Sequence, residues 1–158
     1  MITETQQTQK NLNSRQEKNP DIDKQLHIPR ILIVEDDITL EPIWTYVVDR
    51  VSRQATVVWA TSEAEAEELI LSSIQNNCEY DLVITDIFLS GSKTGIDLWS
   101  KFYYALHGRM IITSGIEYQK FMKHLGESPA EPLYIQKPLN PNECINAVFG
   151  MLQRSNSL

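Results

Sequence analysis

The sequence predicts an α/β fold in which a parallel sheet is covered by helices on both faces. Two observations carry that expectation. Five short apolar runs, at 31–34, 57–59, 82–84, 110–112 and 133–135, follow one another after residue 28, and their length and β-branched content suit strands buried on both faces. Segments of helical periodicity lie between them and after the last. Five alternations of strand and helix call for parallel strands joined by crossovers.

In chain order, residues 1–27 come first, rich in Gln, Asn, Thr, Ser and charge. Such a segment cannot bury enough apolar surface to offset its ordering entropy, so a flexible polar extension is expected, followed by one domain over 28–158. The run ILIV is the first strand. Residues 38–53 then place Leu40, Ile43, Trp44, Val47, Val48 and Val51 at helical spacing, with Pro42 tolerable only in a first turn. After the second strand, residues 61–77 open on the capping candidates Thr61 and Ser62. Glu65 stands where a capping box with Ser62 needs it, and Leu69, Ile70 and Ile74 form the apolar stripe. The acidic run EAEAEE at 63–68 reads as a solvated helix face. Further helices fit 95–107, 117–126 and 140–153, with the remaining strands between them. No repeat of solenoid period is present.

A length of 158 residues, 42% of them hydrophobic, suits a single domain. The chain has 14 basic and 21 acidic side chains. Four of each lie in 1–27, so the remaining 10 basic and 17 acidic residues carry the whole net charge of −7. That balance argues against direct nucleic-acid binding, which needs clustered Lys and Arg, and against a polybasic membrane anchor. No apolar run reaches the ~20 residues of a membrane span. The opening MITETQQTQK lacks the basic start and apolar stretch of a secretory signal. Cys78 and Cys144 are too few and too far apart for a metal motif or a disulfide framework. A cytoplasmic protein is the expectation.

Function is sought where strands end, because ligands of open α/β sheets bind beyond the carboxyl ends of the strands. The first run empties into Glu35, Asp36 and Asp37; LVIT ends at Asp86; MIIT ends at Ser114 and Gly115; LYIQ ends at Lys137 and Pro138. Clustered carboxylates repel by ~4 kcal/mol for a pair about 4 Å apart at an effective dielectric near 20, so something positive must compensate. A hard divalent ion such as Mg²⁺ suits oxygen ligands, and Lys137 adds a mobile point charge able to follow a phosphoryl group. Phosphoryl transfer requires mainly positioning and charge neutralisation, and a carboxylate such as Asp86 can act as its nucleophile.

On these residues, the chain from about 29 to 154 resembles the receiver domains of two-component response regulators, of the single-domain, chemotaxis-regulator type. The motifs are Glu35-Asp36 after the first strand, Asp86 after the third, Ser114 with a small neighbour after the fourth, and Lys137-Pro138 after the fifth. The resemblance implies a flavodoxin-like (βα)₅ doubly wound sheet of strand order 2-1-3-4-5. It implies that Asp86 is the phosphoacceptor. Glu35, Asp36, Asp86 and the backbone carbonyl of Phe88 would hold Mg²⁺ (or Mn²⁺). Ser114 and Lys137 would each bond a phosphoryl oxygen, and Tyr134 would be the aromatic that responds to Ser114. The implied phosphodonor is a histidine kinase or a histidine phosphotransfer protein. Repacking of the face carrying Tyr118, Lys120, Lys123 and His124 would pass the signal to a protein target. Such a protein is not a turnover enzyme, although it catalyses its own phosphorylation and dephosphorylation. Only one helix follows Lys137, so output through protein contact is expected.

The sequence departs from the pattern in the loop after Asp86. It reads DIFLSG, with Ser90 where proline is common, and Gly95 lies nine residues on, one more than in the simplest members. Bulky Phe88 is expected to slow water attack on a phosphorylated Asp86. The stretch SGSKTG matches neither a phosphate loop nor the separated motifs of β-lactamases. His27, His107 and His124 show no ligand spacing and read as surface residues. Two other functions fit less well. A haloacid-dehalogenase-like phosphatase needs Asp-x-Asp where this chain has Glu-x-Asp, and a phosphorylation-independent receiver-like interaction module has no need of Asp86, Ser114 and Lys137.

Overall fold

The computed structural model describes residues 27–128 and 130–155, so the extension expected at 1–27 lies outside the described residues except for His27. The elements are β1 (Arg30–Val34), a 3₁₀ turn (Ile38–Leu40), α1 (Glu41–Val51), β2 (Thr56–Ala60), α2 (Glu63–Gln75), β3 (Leu82–Asp86), α3 (Gly95–Phe102), β4 (Met110–Ser114), α4 (Tyr118–Leu125), β5 (Leu133–Gln136) and α5 (Pro141–Ser155). All strand pairs are parallel, and the sheet order is β2-β1-β3-β4-β5. No helix among the described residues is long and apolar enough to cross a membrane.

The two-residue period of the strands divides the core into two layers. Leu32, Val34, Val83 and Ile112 face α2, α3 and α4, where they meet Ile70, Leu98, Trp99 and Phe121. Ile31, Ile33, Ile84 and Ile111 face α1 and α5, against Trp44, Val47, Val48, Cys144 and Val148. Burial on both faces holds for β3 and β4 and for all of β1 but Arg30. It does not hold for β2 and β5, which are the edges of the sheet and leave Val57 and Leu133 exposed.

Several local expectations are refined. The predicted helix at 38–53 starts as a 3₁₀ turn capped by the Asp37 side chain, and α1 proper begins at Glu41 with Pro42 in its first turn. Ser62 caps α2 by accepting from the Glu65 N–H at 3.3 Å, but the Glu65 carboxylate reaches back to the Thr61 N–H at 2.8 Å, one residue earlier than a capping box requires. A full capping box stands instead at α3, between Thr94 and Asp97. That helix ends at Phe102, and turns fill the rest of the predicted 95–107. The run 63–68 is not simply solvated. Glu63 is buried and pairs with Lys93 at 3.4 Å, and Glu67 pairs with both Lys93 and Lys101. At the opposite end of the sheet, exposed His27 meets buried Asp81 at 2.7 Å, and Asp81 also accepts from the Arg30 N–H.

Candidate functional site

Strand register assembles the site. Val34 pairs with Thr85 and Asp86 with Thr113, so the residues just past β1, at the end of β3 and at the end of β4 come level at one edge of the sheet. Ser114 pairs with Gln136, and the Lys137 N–H donates to the Ser114 carbonyl at 2.7 Å. Glu35, Asp86, Ser114 and Lys137 therefore converge although up to 102 residues separate them. The Lys137–Pro138 peptide is cis.

At the centre, the Lys137 ammonium donates to Asp86 Oδ2 at 2.6 Å and to Glu35 Oε2 at 2.7 Å. Both carboxylates are almost wholly buried, Glu35 at 2% and Asp86 at 8% exposure. Burial raises the Glu35 carboxyl above its ordinary range, against the lowering effect of Lys137, while the nearby Asp86 charge adds to the rise. For Lys137 burial works against the charged form, but the hydrogen bonds to Asp86 and Glu35 outweigh it and its pKa is raised. The remaining Glu35 oxygen accepts from the Asp37 N–H at 3.2 Å, and the Trp59 indole donates to the Glu35 carbonyl at 3.0 Å. Asp86 Oδ1 accepts from the Phe88 N–H at 3.3 Å.

Asp36 stands at the exposed rim. Carboxylate oxygens of Glu35, Asp36 and Asp86 all lie within 4.8 Å of one another. Three hard oxygen donors at this spacing suit a divalent cation such as Mg²⁺ far better than a soft metal. The donor set thus fits the cation expected from the sequence, with Lys137 neutralising part of the same charge.

Ser114 is fully buried, and its hydroxyl accepts from the Ile116 N–H at 3.4 Å. The Tyr134 hydroxyl donates to the carbonyls of Ile116 and Ser114, and its ring stacks on Phe121 with centroids 4.2 Å apart. Tyr134 is thereby tied to the segment that carries Ser114. The face expected to meet a partner is separate from the carboxylates. It lies on α4, where Tyr118, Lys120, Lys123 and His124 are all exposed, and the Tyr118 hydroxyl bonds Glu131 just before β5.

Two site residues had escaped a functional reading. Ser90 donates its hydroxyl to Asp36 Oδ2 at 2.7 Å, and the only signal for it was its place in DIFLSG. Gly95 abuts the Asp86 backbone carbonyl, which explains a glycine at the start of α3. Lys93, in the same loop, is engaged by Glu63 and Glu67 on α2.

No family model matches the sequence, and no curated protein matches it. Solved structures do match. One is a response regulator receiver domain protein from Methanospirillum hungatei, 24% identical, covering 83% of this chain and 98% of that one with a TM-score of 0.61. Another is the signal receiver domain of an HD domain-containing protein from Pseudomonas fluorescens, 21% identical, with coverage of 84% and 100% and a TM-score of 0.67. A third is a putative response regulator from Chloroflexus aurantiacus, 23% identical, covering 81% and 100% with a TM-score of 0.66. The chain has the fold of response regulator receiver domains, in the strand order expected from the sequence.

Proposed function

We propose that this chain is a phosphorylation-controlled signalling module. Asp86 accepts a phosphoryl group from the phosphohistidine of a histidine kinase or histidine phosphotransfer protein, and a protein partner responds to the resulting change of shape. The observation that carries this reading is the Lys137 ammonium bridging Asp86 and Glu35 at 2.6 and 2.7 Å beside the buried Ser114 hydroxyl.

In the transfer, an Asp86 oxygen attacks phosphorus, the P–N bond to the donor imidazole breaks, and the imidazole leaves with a proton while an acyl phosphate forms. Glu35, Asp36, Asp86 and the Phe88 carbonyl would hold Mg²⁺ (or Mn²⁺), which when bound would neutralise phosphoryl charge. Lys137 gives up one carboxylate contact and pairs with a phosphoryl oxygen. The Ser114 hydroxyl gives up its weak 3.4 Å bond from the Ile116 N–H and donates to another. Because Tyr134 bonds the carbonyls of Ser114 and Ile116, that adjustment is transmitted to Tyr134, Phe121 and the α4 surface. New contacts present in only one state are what shift such an equilibrium. The cycle is one phosphorylation and one hydrolysis, not turnover of a free substrate.

The test is incubation with acetyl phosphate and Mg²⁺, read by intact mass, for wild type and Asp86→Asn. One phosphoryl mass on wild type, lost in the variant and without Mg²⁺, is expected. A folded protein that takes no label is instead a phosphorylation-independent interaction module. Steady hydrolysis of free phosphate esters would point to a phosphatase.

A further inference from the structure

The three clustered carboxylates are not held alike. Glu35 and Asp86 are buried and each is fixed by the Lys137 ammonium. Asp36 is exposed, and its carboxylate is held by the Ser90 hydroxyl, which donates to Oδ2 at 2.7 Å. Ser90 is itself anchored. It forms an isolated parallel bridge with Ser62 ahead of α2, and Lys93, three residues on, reaches Glu63 and Glu67 of that helix. The carboxylate at the rim is thus oriented by a loop that is pinned at two points to the start of α2.

An exposed aspartate left to rotate must lose that freedom when it binds a cation, and a hydrogen bond already in place removes part of the cost. The bond also engages Oδ2, one of the two Asp36 oxygens, and so fixes how the pair of oxygens is turned towards a cation. Mg²⁺ demands a small octahedral shell and takes carboxylates one oxygen at a time, whereas Ca²⁺ accepts more ligands and tolerates two oxygens from one carboxylate.

We infer that Ser90 is a positioning residue for Asp36 that sets the cation preference of the acidic pocket, holding Asp36 so that it offers a single oxygen and thereby favouring Mg²⁺ over Ca²⁺. The inference rests on the cation-dependent reading above and names the residue that tunes it. Nothing in the general pattern of a proline at this place would supply the effect, since proline has no hydroxyl to donate.

Calorimetric titration of the full chain with Mg²⁺, and separately with Ca²⁺, tests it. Ser90→Ala lowers Mg²⁺ affinity about 10-fold, the range seen when a partner of a metal ligand is lost, and leaves Ca²⁺ affinity unchanged or higher. Ser90→Thr, which keeps the hydroxyl, restores the wild-type ratio. An unaltered Mg²⁺-to-Ca²⁺ ratio in Ser90→Ala overturns the inference, as does a failure of Ser90→Thr to rescue. Those results leave the pocket itself standing if wild type binds Mg²⁺ and Asp36→Asn does not. Absence of Mg²⁺ binding by wild type removes the cation site and this role of Ser90 together.

Discussion

A Cβ placed on Gly95 would lie 2.1 Å from the backbone carbonyl oxygen of Asp86. The same Cβ would lie 2.8 Å from the Thr85 hydroxyl, which donates to that carbonyl at 3.0 Å. The first residue of α3 is therefore in direct contact with the main chain of the proposed phosphoacceptor. Helix α3 cannot easily retreat, because its Thr94–Asp97 capping box and the Gly95 N–H bond to the Ile87 carbonyl hold its first turn in place.

Gly95→Ala accordingly forces a backbone shift at Asp86. The expected cost is about 2 kcal/mol, in the range of overpacking a tight interior. Urea unfolding measures it as a lower midpoint at unchanged slope. The variant should also take label from acetyl phosphate more slowly. An alanine variant as stable as wild type would show that the two segments separate freely.

Lys137→Met probes the central ion pairs. Removing the ammonium leaves two buried carboxylates facing each other, and loss of one partner of a buried pair costs ~3 kcal/mol or more. Added Mg²⁺ supplies replacement charge, so the deficit should be largest in chelator and shrink as Mg²⁺ is titrated in. Equal deficits with and without Mg²⁺ would mean that Lys137 and the cation do not share the same charge.

Much of this was legible in the sequence because the strands are short and end on polar residues. Short apolar runs such as ILIV and LVIT mark β1 and β3, and once the sheet order sets these two strands side by side, parallel register brings Glu35 level with Asp86. Contacts between loops were not legible. Ser90 and Asp36 are 54 positions apart, and neither belongs to a periodic element whose phase could place one against the other. The burial of Glu63 likewise depends on Lys93 arriving from a different loop, so a run of four acids and two alanines reads as uniformly solvated. The exposure of β2 and β5 follows from sheet order, which apolar content alone does not specify.

Phe88 is half-exposed, and its N–H donates to Asp86 Oδ1 at 3.3 Å, so its main chain adjoins the carboxylate of the proposed phosphoacceptor. An apolar side chain carried at that position is expected to hinder water on one approach to a phosphoryl group on Asp86. Phe88→Asn should shorten the lifetime of the labelled protein several-fold, while Phe88→Leu should largely preserve it. An unchanged lifetime in the asparagine variant, followed by intact mass after removal of acetyl phosphate, would sink this role.

Cys144 gives the fold a defined alkaline weakness. It sits wholly buried on α5 in the layer shared with α1, and burial pushes its thiol up to about 11, with the Glu143 charge adding to the effect. In the unfolded chain the thiol ionises near its ordinary value of 9.0, so above that pH the unfolded state binds fewer protons than the folded one. Stability is therefore intact below the unfolded value and falls as pH rises towards the folded one. One pH unit above the unfolded value the loss is ~1.4 kcal/mol, and it levels off once the folded thiol also ionises. Cys144→Ala loses some packing at neutral pH but lacks this dependence. The difference in unfolding free energy between wild type and variant should consequently narrow with rising pH over that interval. Exposed Cys78 should meanwhile be alkylated in the native protein while Cys144 is protected, and rapid native-state labelling of Cys144 would contradict the burial on which the pH dependence rests.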